Sequence, residues 1–124
     1  MKTILLVGDE PERSNLADVL IGLDYWVIDV QDGPSALSVI RDGAPIDLVM
    51  TDFQSAGMDG LEFFASVKKL APSVPSVILT ACGSIEECLK AYSLGVFEYI
   101  NKPFTPEELG KIVRAALDMA RTVK

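Results

Sequence analysis

Histidine is absent from all 124 residues. Its absence excludes imidazole metal sites, Ser/His and Cys/His nucleophile pairs, and any phosphohistidine carried by the chain itself. Cysteine is scarce, with only Cys82 and Cys88 and no CxxC pairing. That excludes a disulfide framework and a thiolate metal site, and reduced thiols are the expectation. Positive charge is in deficit: 11 Lys and Arg stand against 18 Asp and Glu, for a net charge of −7. A chain so acidic should not bind nucleic-acid phosphates or anionic lipid unaided, because like charges repel. Long apolar runs are missing too. The run Ile4 to Val7 is far short of a signal-peptide core or a membrane span. What remains is 49% hydrophobic content, ample for one buried core. The expectation is one cytoplasmic domain spanning 1–124, with its chemistry confined to carboxylates, hydroxyls and lysine.

Short β-branched or apolar runs recur at Ile4 to Val7, Tyr25 to Val30, Ile46 to Thr51, Ser76 to Thr80 and Phe97 to Ile100. Between them lies helical spacing. It is clear in Leu16, Val19, Leu20 and Leu23, in Ile85, Cys88, Leu89 and Tyr92, and in Leu109, Ile112, Val113 and Ala116. Weaker helical patterns cover roughly Pro34 to Ile40 and Leu61 to Leu70. Five strands alternating with five helices predict a parallel α/β sheet in a three-layer sandwich. Strands one, three and four are uninterrupted and belong in the middle, covered on both faces. Asp29 and Glu98 interrupt strands two and five, which belong at the edges. The pattern fits the flavodoxin-like order 2-1-3-4-5. No repeat, low-complexity tract or linker is visible, and whether the last helix precedes a true terminus or a second domain stays open.

The informative polar residues follow the carboxyl ends of strands: Asp9 and Glu10 after strand one, Asp52 closing strand three, Thr80 closing strand four and Lys102 after strand five. In the order 2-1-3-4-5 the first and third strands flank the switch point, where such folds open a ligand crevice. Asp9 and Asp52 should therefore face each other. Two adjacent carboxylates repel unless a cation lies between them. Hard oxygen ligands select Mg²⁺, which takes one or two carboxylates, several waters and a phosphate oxygen. Such a site suits attack by a carboxylate on phosphorus, with Lys102 as a second positive charge and Thr80 as a hydroxyl donor. Singly, each residue has a plainer reading: a helix cap, a solvated lysine, a β-prone threonine. Their convergence from four strands on one edge favours a site.

Four motifs, LLVGDEP at 5–11, DLVMTDFQSAGMDG at 47–60, VILTACG at 77–83 and YINKPF at 99–104, make the chain resemble the receiver domains of two-component response regulators. The resemblance implies that Asp52 is the phosphoacceptor, that Asp9 and Asp52 are Mg²⁺ ligands, and that the backbone carbonyl of Gln54 is another. It implies that Thr80 and Lys102 contact the phosphoryl oxygens and that the Lys102–Pro103 bond is cis. Thr80 and Tyr99 would form the switch, altering a surface over about 84–120 that serves for homodimerisation or effector contact. The implied partner is a histidine kinase or phosphotransfer protein. The domain would be a signalling module rather than a turnover enzyme.

The chain departs from the pattern at two points. Gly8 stands where the family generally has the first of two acidic residues, which should weaken metal binding; Glu10 is the candidate to compensate. Ala56 replaces a usual proline and should loosen the loop slightly. Gln54 and Cys82 sit where the family tunes acyl-phosphate lifetime. Gly8 also leaves open a receiver-like interaction module that works without phosphorylation. A haloacid-dehalogenase-type hydrolase would want a second Asp where Gln54 stands. Flavodoxin-like electron transfer would need a phosphate loop where Asp9 and Glu10 stand.

Overall fold

A computed structural model describes residues 1–52, 60–80, 93, 98–101 and 104–122, with the side chains of all but 52, 60, 61, 80, 98, 99, 101 and 120–122. The order is β1 (Thr3–Val7), α1 (Glu12–Gly22), β2 (Trp26–Val30), α2 (Gly33–Arg41), β3 (Leu48–Asp52), α3 (Gly60–Leu70), β4 (Ser76–Thr80), β5 (Glu98–Asn101) and α4 (Pro106–Thr122). The helix expected around Ile85 to Tyr92 lies outside the described residues. The five strands form one parallel sheet in the order β2-β1-β3-β4-β5, as the sequence pattern predicts.

Period-two alternation divides the core between the two faces of the sheet. Ile4 and Leu6, Leu48 and Met50, and Val77 and Leu79 share a cluster with Ala17 and Leu20 of α1 and Leu109, Val113, Ala116 and Leu117 of α4. Leu5, Val7 and Val49 join Ala36 and Leu37 of α2 and Phe63 and Val67 of α3 on the other face. The three central strands are covered from both sides, so their runs are continuously apolar. Complete burial of a side chain such as Leu20 or Phe63 is worth about 1.5–3 kcal/mol.

Local chemistry sets the helix ends. Asp32 caps α2 by accepting the Ser35 N–H at 2.8 Å, and Pro34 sits in the first turn. That backbone hydrogen bond, helped by the Ser35 side chain, lowers the Asp32 pKa. Gly43, at φ +86, supplies the left-handed turn after α2. α4 begins with a reciprocal box: Thr105 Oγ1 accepts the Glu108 N–H at 3.1 Å, and Glu108 Oε1 accepts the Thr105 N–H at 3.2 Å. Helical spacing in the sequence included Leu23, but α1 ends at Gly22, and Leu23 is its C-cap with backbone bonds to Val19 and Leu20. Asp24 then turns through φ +71, a conformation Asp adopts more readily than most residues, and leads into β2. Among the described residues, no helix is long and apolar enough to cross a membrane.

Candidate functional site at the carboxyl edge

Register places the candidate acids. Val7 pairs with Thr51 across β1 and β3, so the chain leaves β1 through Gly8 level with Asp52, the last residue of β3, and Asp9 follows one residue on. Asp52 pairs with Leu79, and Thr80 closes β4 opposite Asn101 of β5. The ends of β1, β3, β4 and β5 therefore lie along one edge, with the β1/β3 boundary as the point where strand order reverses. Lys102 follows Asn101 in the chain and, like Gln54, lies outside the described residues, as do Ala56, Cys82 and the Lys102–Pro103 bond. Asp52, Thr80 and Tyr99 are placed by their strands, and their side chains lie outside the description. One cis peptide is present among the described residues, at Glu10–Pro11.

Asp9 is exposed, and its carboxylate forms no hydrogen bond or ion pair with another described residue. Glu10 behaves differently. Its carboxylate accepts the Ser14 N–H at 2.8 Å and also the Ser14 hydroxyl, capping the first turn of α1. The Ser14 hydroxyl, then the Ser14 amide, and last the charge of Arg13 pull the Glu10 pKa down. Its two oxygens are thus engaged locally, although the sequence had raised it as a substitute metal ligand.

Gly8 is buried, donates its N–H to Val30 O at 3.2 Å, and a Cβ there would meet no atom of the described residues within 4 Å. Its carbonyl accepts a 2.9 Å hydrogen bond from Arg13 Nη1. Arg13 Nε also donates to Asp29 Oδ2 of β2 at 3.2 Å and lies 3.9 Å from Glu10 Oε1. Sequence reasoning missed Arg13. Its one available signal was a cation one helical turn beyond the departure at Gly8. Asp29, legible as a mark of edge exposure, is also its carboxylate partner.

The donors present suit a hard cation. An exposed carboxylate at the end of β1, beside a strand that closes on a second acid, matches the sparse oxygen ligation of Mg²⁺. Among the described side chains, no three Asp, Glu, Cys or His gather into a cage.

A parallel doubly wound sheet with acids collected at its switch point defines the flavodoxin-like class of α/β protein. Residues 4–114 match the response regulator receiver domain, and the chain belongs to that family of two-component signalling. It is 34% identical over 118 residues to the transcriptional regulatory protein GlrR of Escherichia coli, covering 94% of this chain and 26% of GlrR. It is also 34% identical to the phosphate regulon regulator PhoB of Pseudomonas aeruginosa, covering 94% of this chain and 52% of PhoB. The chain thus spans about a quarter to a half of these relatives. A solved receiver domain protein from Clostridium thermocellum superposes with a TM-score of 0.92 at 25% identity, covering 100% of both chains.

Proposed function

We propose that the chain takes a phosphoryl group onto Asp52 from the phosphohistidine of a sensor kinase or phosphotransfer protein, and that this shifts a two-state conformational equilibrium. The register of β1 against β3, which ends both strands together at the switch point with Gly8 and Asp9 following one and Asp52 closing the other, is the observation that supports the reading. Thr80 closes β4 opposite Asn101 of β5 at the same edge, and Lys102 is the next residue of the motif in sequence.

In this reading an Asp52 carboxylate oxygen attacks phosphorus in line. A new O–P bond forms as the P–N bond to the donor imidazole breaks, and the imidazole leaves with a proton. Asp9, Asp52 and the Gln54 carbonyl would hold Mg²⁺, whose charge screens the repulsion between carboxylate and phosphoryl oxygens. Lys102 binds the phosphoryl oxygens as a mobile cation, and the Thr80 hydroxyl donates to them. Drawing Thr80 inward makes room for Tyr99 to turn, and the surface over about 84–120 changes, available to a second copy or an effector. Water later cleaves the acyl phosphate and restores Asp52, so the domain is a timed signal rather than a turnover catalyst. A cytoplasmic setting goes with this reading.

Intact-mass analysis after incubation with phosphoramidate, with Mg²⁺ or EDTA, tests it. One Mg²⁺-dependent phosphoryl adduct, absent from a folded Asp52→Asn variant, is expected. No adduct at any Mg²⁺ concentration in folded wild type would sink it and leave the phosphorylation-independent module.

A further inference from the structure

Arg13 grips the backbone on both sides of Asp9. Its own N–H donates to Asp9 O at 2.9 Å, and its guanidinium donates to Gly8 O at 2.9 Å. Those two carbonyls belong to the two peptide planes that flank the Asp9 Cα. Fixing both planes fixes the direction of the Asp9 Cα–Cβ bond. The guanidinium is itself held, because Asp29 on β2 accepts from Nε at 3.2 Å, and the Arg13 side chain is only 16% exposed. Gly8 makes such a restraint valuable. Glycine explores more backbone conformations than any other residue, and here it immediately precedes the one candidate metal ligand that β1 supplies.

We infer that Arg13 is a positioning residue for Asp9, its Asp29-anchored guanidinium supplying the backbone rigidity that glycine at position 8 lacks. The inference deepens the proposed receiver chemistry and rests on Asp9 being the metal ligand. It links a β2 carboxylate to the aim of a β1 carboxylate through one side chain. Supporting residues of this kind commonly change metal affinity by about tenfold or more when removed.

Gly8 also provides the rescue. Its backbone is outside the left-handed region and a Cβ there meets nothing within 4 Å among the described residues, so Gly8→Ala restricts the chain without backbone strain. Arg13→Met should therefore lower the ¹⁵N order parameters of Gly8, Asp9 and Glu10 in the metal-free protein. It should also weaken Mg²⁺ binding by about tenfold in titration calorimetry while the phosphorylation rate at saturating Mg²⁺ is retained. Gly8→Ala added to Arg13→Met should recover most of both losses, which a merely structural role for the arginine would not predict. Asp29→Asn, which leaves the arginine present but unanchored, should give a smaller loss and none beyond that of Arg13→Met when the two are combined.

Unchanged order parameters, unchanged Mg²⁺ affinity, a loss that Gly8→Ala leaves uncorrected, or additive losses with Asp29→Asn would each overturn the inference. Wild-type protein that neither binds Mg²⁺ nor takes a phosphoryl group would instead overturn the receiver chemistry. The two failures are distinguishable because the order parameters report on Arg13 without metal.

Discussion

Asp9 and Asp47 lie at opposite edges of the same sheet, one just after β1 and the other just before β3. Asp47 is settled: Thr3 N–H donates to its Oδ2 at 2.8 Å, Lys2 Nζ lies 3.9 Å from its Oδ1, and its own N–H donates to Thr3 O at 2.9 Å. Asp9 has only its backbone fixed, and its carboxylate makes no bond to another described residue. A carboxylate whose lone pairs are already filled locally serves the fold. One whose backbone is restrained and whose oxygens meet no partner among the described residues is prepared for something else. Glu10 falls on the Asp47 side of this division, since Ser14 engages its carboxylate.

The contrast can be sharpened by adding an acid to the open edge. A Cβ at position 8 meets no described atom within 4 Å, and Gly8→Asp adds a second carboxylate next to Asp9 in the chain. It should tighten Mg²⁺ binding by about tenfold, the range seen when groups around a metal site are changed. Titration calorimetry on the two proteins decides, and equal affinities would refute the expectation.

Removing the acid at the other edge should act on stability alone. Asp47→Ala orphans the Thr3 N–H and should cost about 1.5 kcal/mol in urea unfolding, the low end of the usual range for a hydrogen bond to a charged group, because the site is only partly buried. Most of this should come from the hydrogen bond, because the Lys2 pair is largely exposed and long. Mg²⁺ affinity should be unchanged, and a parallel loss would break the division between the edges.

The smallest effect is one of pH. The folded-state pKa of Glu10 is depressed by the Ser14 hydrogen bonds, so its cap is fully present above the ordinary carboxylate range. Its contribution is lost as pH falls through the lowered value, when the carboxyl takes up a proton. Glu10→Gln should therefore flatten the acid limb of a thermal-unfolding profile slightly and leave neutral-pH phosphorylation intact. An unaltered acid limb would show that the cap contributes nothing.

Much of this was legible before any coordinates. Continuous apolar runs marked the central strands, and charge at Asp29 and Glu98 marked the edges, because parallel strands are buried on both faces only in the interior of a sheet. The strand ends at Val7, Asp52 and Thr80 followed from the same pattern. Leu23 was misassigned to α1 because helical spacing continues past the residue where the backbone turns away. The resemblance singled out Asp9 as a metal ligand and left Glu10 as a substitute. The Ser14 hydrogen bonds then engage Glu10 within its own helix turn.

The sequence alone determined the layer arrangement and which acids reach one edge, since periodicity and strand order depend on residue type at short range. Tertiary structure brought Arg13 to Asp29 and so anchored the guanidinium that holds Gly8. The physical reason is distance along the chain. Arg13 and Asp29 are 16 residues apart, and their hydrogen bond can form only once β2 pairs with β1 and carries Asp29 to the start of α1.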